Sequence, residues 1–360
     1  MRILHVITSL RKAAGTSVFC GEVCNRFSAI GHGVTLAVCA PDEQDCYSLD
    51  PKVEFASIAS VMGLKTREFD LVHIHAIWSP ILHKVSKWAH GINVPIVWSP
   101  HGMLTPWAMK NKKWKKLLGW MLYQKRDLEK AAMIHVTASS EEEDIRRLGL
   151  SNKCLIAPLG VEVGNGARHD ERHTGKKTLL FVSRVQRKKG LLNLVKAWAS
   201  LSSRERAGWL VRIVGPDQEG HTVEVKSECE RLGVADDWVF VGPRYGENLR
   251  GEYSNADVFV LPTHSENFGS VVIEALSHGV PVITTKGAPW SELEDRHCGW
   301  WIDIGVEPLT EALKAAMSLD DVQRREMGAR GRALVEEKYT WDAVVKAMVK
   351  GYEEVLSGNA

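Results

Sequence analysis

Two carboxylates eight residues apart, Glu266 and Glu274, lie in the stretch DVFVLPTHSENFGSVVIEALSHGVPVITT, residues 257–285. An ionised carboxylate accepts hydrogen bonds from vicinal hydroxyls, so a pair on this spacing suits a hydroxyl-rich ligand. The flanks say how the pair is held. Val258 to Leu261 is a short β-rich run stopped by Pro262, and Val271 to Leu276 is apolar at helical spacing and ends before Gly279. Residues 263–269 must then turn the chain from strand to helix, with Glu266 in the turn and Glu274 about one turn into the helix. Turns of this kind sit at the carboxyl ends of parallel strands, where open α/β sheets bind ligands. There the first N–H groups of the helix point out from its positive end. A diphosphate or a sugar hydroxyl fits such a place.

A second group lies upstream in LLFVSRVQRKKG, residues 179–190. A buried strand runs into Ser183-Arg184 and a helix starts after Lys189-Gly190. Arg184 and Lys189 thus overhang a strand's carboxyl end, and a guanidinium fork beside a compact ammonium clamps a leaving diphosphate; the plain alternative is a generic basic loop. At the amino terminus a first strand leads through residues 9–16 into a helix from about 17 to 30, which leaves Gly15 placed for close approach of backbone to ligand. No G-x-G-x-x-G is present. The strand in PIVWSPHGM, 95–103, runs out into His101-Gly102, where the histidine either caps the loop or meets a ligand. His73 and His75 alternate along DLVHIHA without an evident third metal ligand, so one is expected in the core and one at the strand end.

Taken with Asn-Phe-Gly and GVPVITT, the Glu266-x7-Glu274 pattern resembles the donor-site signature of retaining GT-B glycosyltransferases of family 4, glycosyltransferase group 1. The resemblance implies roles. Glu266 would bind hydroxyls of the transferred sugar, and Glu274 the nucleotide ribose. The amides of Asn267, Phe268 and Gly269 would face the sugar and phosphates, Arg184 and Lys189 would hold the leaving diphosphate, and His101 would touch the donor sugar. The family usually carries Gly-Gly near the first strand, whereas this chain reads Ala-Ala-Gly-Thr, so Gly15 alone is carried over. The implied reaction moves a hexosyl unit from a nucleoside-diphosphate sugar to an acceptor hydroxyl with anomeric configuration kept, the leaving phosphate taking the acceptor's proton. Cleavage builds negative charge on the departing diphosphate, which Arg184, Lys189 and the amides after Glu266 would stabilise. The chain has no D-x-D, so no cofactor and no metal is expected beyond the sugar nucleotide as co-substrate. A GT-B-fold nucleotide-sugar epimerase and a non-catalytic donor-binding scaffold subunit remain alternatives.

The rest of the sequence says what must position these residues. At 360 residues, 44% hydrophobic and 25% charged, the chain is ordinary globular material and long for one core. Strand-like runs recur at 2–8, 34–40, 53–58, 70–75, 94–99, 132–137 and 153–157. They restart at 178–183 and continue at 210–215, 238–242, 257–262, 280–285 and 299–303. Each series predicts an α/β doubly wound parallel sheet. The polar, Gly-rich stretch 163–177 reads as a linker. The expected architecture is GT-B, two Rossmann-like domains facing a central cleft. The amino-terminal, acceptor-side domain covers 1–165 and the nucleotide-sugar domain 166–341, with a helix near 342–360 implied by the resemblance to cross back to the first. No run approaches membrane-spanning length, and ILHVIT is soon followed by Arg11-Lys12, unlike a secretory leader. Seven cysteines without C-x-x-C fit reduced thiols, with Cys20 and Cys24 packing on one helix face. A cytoplasmic protein is expected.

Residues 1–165 carry 20 Lys/Arg against 15 Asp/Glu, whereas 166–360 carry 26 against 29. One segment, 105–126, holds seven basic residues and no acid. At helical spacing Trp114, Leu117, Leu118, Met121 and Leu122 share a face, with Lys112, Lys115, Lys116 and Arg126 away from it. Either that face packs on its own domain, or the helix meets an anionic membrane surface. Trp120 and Tyr123, expected to project from the basic side, favour contact with lipid or acceptor through them and through Lys112, Lys113, Trp114, Lys115 and Lys116. The predicted partner is a glycan or lipid-linked acceptor of bacterial surface polysaccharide or lipopolysaccharide synthesis, with peripheral placement at the inner membrane face. The near-neutral remainder gives no sign of a nucleic-acid module.

Overall fold

The computed structural model describes residues 1–10, 15–39, 47–64, 68–110, 113–163 and 175–358. The chain forms two compact units, Met1–Gly160 with Trp341–Ala360, and Val161–Thr340. The switch points in sequence thus fall at 160/161 and 340/341. Most of the expected linker, residues 164–174, lies outside the described residues.

The first unit carries β1 (Arg2–Val6), β2 (Gly33–Val38), β3 (Glu54–Ser57), β4 (Leu71–His75), β5 (Ile96–Ser99), β6 (Met133–Val136) and β7 (Cys154–Ile156). They form one parallel sheet in the order β3-β2-β1-β4-β5-β6-β7. Helices cover both faces, so the central strands are buried on each side and read as near-continuous apolar runs. Pleat alternation divides the core. Leu4, Val6, Val72, Ile74, Ile96 and Trp98 point to one face, with Leu82, Val85 and Leu128 against them. Ile3, Leu71, Val97 and Met133 point to the other, under Phe19, Phe27, Met348 and Tyr352 of the first helix, Gly15–Ala29, and the last, Trp341–Leu356. The return of the last helix is pinned where Trp341 lies on Gly160; a Cβ there would come within 2.4 Å of the indole.

The second unit carries β8 (Lys177–Val182), β9 (Trp209–Val214), β10 (Trp238–Gly242), β11 (Val258–Leu261), β12 (Val282–Thr285) and β13 (Gly299–Ile302), all parallel, in the order β10-β9-β8-β11-β12-β13. Both units are doubly wound α/β sheets. In each, strand order reverses once, between β1 and β4 and between β8 and β11, and ligands bind outside the strand ends at such reversals. Arg184 and Lys189 follow β8; Glu266 follows β11.

Candidate functional site

In the second unit the loops after β8 and β11 are held together by backbone. Gly190 adopts φ 73°, and a Cβ on it would lie 1.9 Å from the Pro262 carbonyl oxygen, so only glycine lets the two loops meet. His264 N–H donates to Lys188 O at 2.8 Å, and Glu266 N–H to Gly287 O at 2.7 Å. This frame brings Lys189 Nζ to 2.6 Å from Glu266 Oε1, with side-chain exposures of 10% and 11%. Thr263 Oγ1 donates to the same carboxylate oxygen at 2.9 Å. Among the described residues nothing bonds Glu266 Oε2, which leaves that oxygen for a ligand. Arg184 is exposed on the same β8 loop, its Nη1 donating to Gln218 Oε1 at 3.3 Å. The Lys188 amine, between Lys189 and Arg184, has its pKa lowered first by burial and then by those two cations, partly offset by Glu266.

Glu274 lies in the helix Ser270–Ser277 and accepts from Tyr253 OH at 2.7 Å. Burial pushes its carboxyl above the ordinary range, against hydrogen bonds from Tyr253 and Ser270 that pull it down. Gly269 precedes the helix in the left-handed region, φ 82°, and supplies no side-chain cap. The first-turn N–H groups of that helix have no partner within it. Phe268 differs from its neighbours: its ring is buried against Trp290 and Tyr339, and its carbonyl accepts from Trp290 Nε1 at 2.6 Å. Only its backbone can face a ligand. Asn267 is half-buried. Sequence reasoning missed Tyr253, Thr263 and Ser270; Tyr253 reaches its carboxylate from another helix, Gly246–Ser254, and leaves no local signature, whereas Thr263 and Ser270 stand three and four residues before theirs.

In the first unit Gly15 opens the first helix with free space where a Cβ would stand, but residues 11–14 lie outside the described residues. His101 follows β5 in the left-handed region at φ 52°. The adjoining Gly102 N–H donates to Glu141 Oε1 at 2.5 Å, and Glu141 Oε2 accepts from Thr137 N at 2.9 Å and Thr137 Oγ1 at 3.0 Å. Glu141, unnoticed in the sequence, therefore fixes the His101-Gly102 turn. His101 Nε2 is 3.1 Å from His75 Nδ1. Contrary to expectation, His73 and His75 are both fully buried, because positions two apart on a strand face the same way. Nitrogens of His5, His73 and His75 fall within 4.8 Å of one another. They do not form a ready cation site: both nitrogens of His73 are engaged by Tyr352 and Ser99, and both of His75 by His5 and His101.

The basic segment turns the other way from its expected orientation. Helical residues Lys113–Gly119, a π-helical turn Trp120–Gln124 and Lys125–Glu129 follow one another. The inward side is set by Gln124, whose Oε1 accepts from Trp78 N at 2.9 Å, by Asp127, 2.8 Å from His83 Nδ1, and by buried Leu128. Trp120 consequently leans on Trp78 and Tyr123 on His83, at ring separations of 6.3 and 5.1 Å. Trp114, Leu118, Met121 and Leu122 are left 79%, 55%, 68% and 69% exposed, which decides against the packed-face alternative and corrects the outward placing of Trp120 and Tyr123. The extra residue per turn of a π segment rotates the face, which a constant helical period does not anticipate. Lys113 and Lys115 are exposed, Lys116 Nζ donates to Ala108 O at 2.6 Å, and Lys112 lies outside the described residues. Among the described residues no helix is long and apolar enough to cross a membrane.

Residues 167–334 match the family model described as Glycosyl transferases group 1, and residues 13–164 that described as Glycosyltransferase Family 4. A D-inositol 3-phosphate glycosyltransferase of Paenarthrobacter aurescens is 32% identical over 244 residues, 63% of this chain and 58% of the relative. Matches to the first curated relatives span 38% to 58% of those proteins' length. Among solved structures, sucrose-phosphate synthase from Thermosynechococcus elongatus aligns with TM-score 0.78 at 20% identity, over 99% of this chain and 100% of that one. Anabaena HepE, determined in complex with UDP, aligns with TM-score 0.80 at 15% identity, over 98% and 100%. These likenesses establish the GT-B fold. With the two family models taking up adjoining halves, the chain belongs to the group 1, family 4 glycosyltransferases.

Proposed function

We propose that the protein transfers a hexosyl unit from a nucleoside-diphosphate sugar to an acceptor hydroxyl with retention of anomeric configuration. The observation that carries this reading is the Lys189–Glu266 pair at the strand-order reversal of the second unit, in a chain of this family. Glu266 Oε2 takes donor-sugar hydroxyls. Lys189, anchored by Oε1, turns its remaining N–H donors to the leaving diphosphate, with Arg184 adding charge from the rim and the amides after Glu266 completing the cradle. Glu274, its pKa raised by burial and its carboxylate tied to Tyr253, takes the ribose. His101 is assigned to the donor sugar. UDP bound to Anabaena HepE supports a uridine donor as the first to try. These protein cations serve the diphosphate, so the reaction needs no divalent metal.

The acceptor is a lipid-linked glycan met at a membrane surface, in the assembly of a surface polysaccharide or lipopolysaccharide. What supports this is the exposed band Trp114, Leu118, Met121 and Leu122 beside Lys113 and Lys115. Incubation with UDP-, GDP- and ADP-sugars, alone and with lipid-linked or polyol-phosphate acceptors, tests the reading. Donor consumption that depends on acceptor supports transfer. Interconversion of the donor sugar without acceptor would make the protein an epimerase, and binding without consumption a scaffold.

A further inference from the structure

The face of the first sheet that lies under the first and last helices carries an unusual load of polar side chains. His5 on β1, His73 and His75 on β4, Ser99 on β5 and His135 on β6 are each at most 1% exposed. Register brings them side by side, His5 opposite His73 and His75 opposite Ser99. Phe19 closes over them, stacked on His135 at 5.2 Å and edge-on to His101 at 5.4 Å. Burial holds every ring neutral: the pKa of His5 and of His101 falls to about 3 and that of His135 to about 4. A neutral imidazole has one N–H and one lone pair, so each hydrogen bond in the cluster constrains the next.

One chain of bonds has fixed ends. Ala157 O only accepts, so His135 Nε2–H donates to it at 2.7 Å, and His135 Nδ1 must accept from Ser99 Oγ–H at 2.6 Å. Ser99 Oγ then accepts from His73 Nε2–H at 2.5 Å, and His73 Nδ1 accepts from Tyr352 OH at 2.5 Å. Every member is satisfied.

The second chain is His5 Nδ1 to His75 Nε2 at 2.9 Å and His75 Nδ1 to His101 Nε2 at 3.1 Å. Neutral rings allow two polarities. If His101 donates inward, the last proton is stranded on His5 Nε2, which is buried without a partner. If His5 donates outward, Nε2 carries a lone pair instead. A ring nitrogen of His5 and the sulfurs of Cys20 and Cys24 lie within 4.8 Å of one another, and burial keeps the Cys24 thiol protonated. Thiols are weak donors, and a stranded buried N–H is the rarer and costlier state.

We propose that His5 and His75 are positioning residues: a directional relay, His5 to His75 to His101, fixes His101 as the Nδ1–H tautomer and presents it to its ligand as a hydrogen-bond donor. His101 then contributes a donor to a ligand oxygen and has no lone pair with which to act as base. The kinetic part rests on the proposed transfer reaction; the tautomer does not.

The test is long-range proton–nitrogen NMR on protein labelled in its histidine rings, with assignments from single substitutions. Expected are Nδ1–H for His5, His75 and His101, and Nε2–H for His73 and His135. His75→Phe keeps a ring and removes both bonds, so His101 should move to a mixture of tautomers and kcat/KM should fall about tenfold, the scale of one misaligned hydrogen bond. In His75→Asn the amide N–H stands near the place of Nδ1, so it should restore the Nδ1–H form of His101 and most of the rate. Wild-type His101 protonated on Nε2, or a tautomer unmoved in His75→Phe, overturns the relay; should that variant not fold, the wild-type spectrum decides alone. The expected tautomers together with full activity in His101→Ala would support the relay while removing His101 from the transfer reaction.

Discussion

Lys189 Nζ and Glu266 Oε1 are 2.6 Å apart although 77 residues separate them, and each is about nine-tenths buried. The pair joins the loops after β8 and β11 at the point where strand order reverses. A largely desolvated ion pair is a costly thing to leave half-made. Lys189→Ala should therefore cost stability, about 1–3 kcal/mol, as well as lowering kcat/KM a hundredfold or more through loss of charge at the leaving group. Adding Glu266→Gln to that variant should recover stability without activity. Thermal unfolding and steady-state rates on the two single variants and the double variant check this; additive losses of stability would mean the pair is not coupled.

Glu274→Gln separates stability from binding. Burial raises the pKa of this carboxyl, so the folded state resists its ionisation. The amide should leave the midpoint of thermal unfolding unchanged or raise it, with Tyr253 still donating to the amide oxygen. Affinity for the free nucleoside diphosphate should fall about tenfold, whereas Glu266→Gln should spare it. Titration calorimetry giving the reverse pattern would exchange the ribose and sugar roles.

The buried histidines set an acid limit on the fold. Folded-state pKa values near 3 to 4 lie below the ordinary 6.5, so the unfolded chain binds more protons between those limits. Stability is then fully present above about pH 6.5 and is lost as pH falls toward 4, by on the order of 1.4 kcal/mol per pH unit for each such histidine. Urea unfolding from pH 7 to 4 should show this fall, and His135→Gln should make it shallower. A slope the same in both proteins would remove His135 from the linkage.

The proposed membrane contact falls on the face that the helix turns outward. Trp114→Ser with Leu118→Ser and Met121→Ser should abolish flotation with anionic vesicles, and Lys113→Gln with Lys115→Gln should weaken it most at low salt. Trp120→Leu, on the packed side, should leave flotation intact while lowering thermal stability. Vesicle binding unchanged in the triple variant would end the lipid assignment.

The contrast among these sites shows what the sequence makes legible. Each strand of both sheets is a short β-rich run between turn residues, so the two doubly wound sheets could be read directly. The placing of Lys189 and Glu266 in turns and of Glu274 in the following helix could be read too, because strand-to-helix turns are local. The helix after Lys113 could not. Its inward face is fixed by Gln124, Asp127 and Leu128, which answer to Trp78 and His83, and a π turn shifts the phase between them and Trp114. Nor could the histidine relay, which needs the register of β1 against β4, β5 and β6 before His5, Ser99 and His135 come together.

The fate of the sugar's anomeric centre separates retention from inversion. Proton NMR of a nucleotide sugar incubated with the protein, acceptor and EDTA should show product with the donor's anomeric configuration, at an undiminished rate, and no such product with Glu266→Gln. Product of inverted configuration, or transfer that stops in EDTA and resumes with magnesium or manganese, would contradict it.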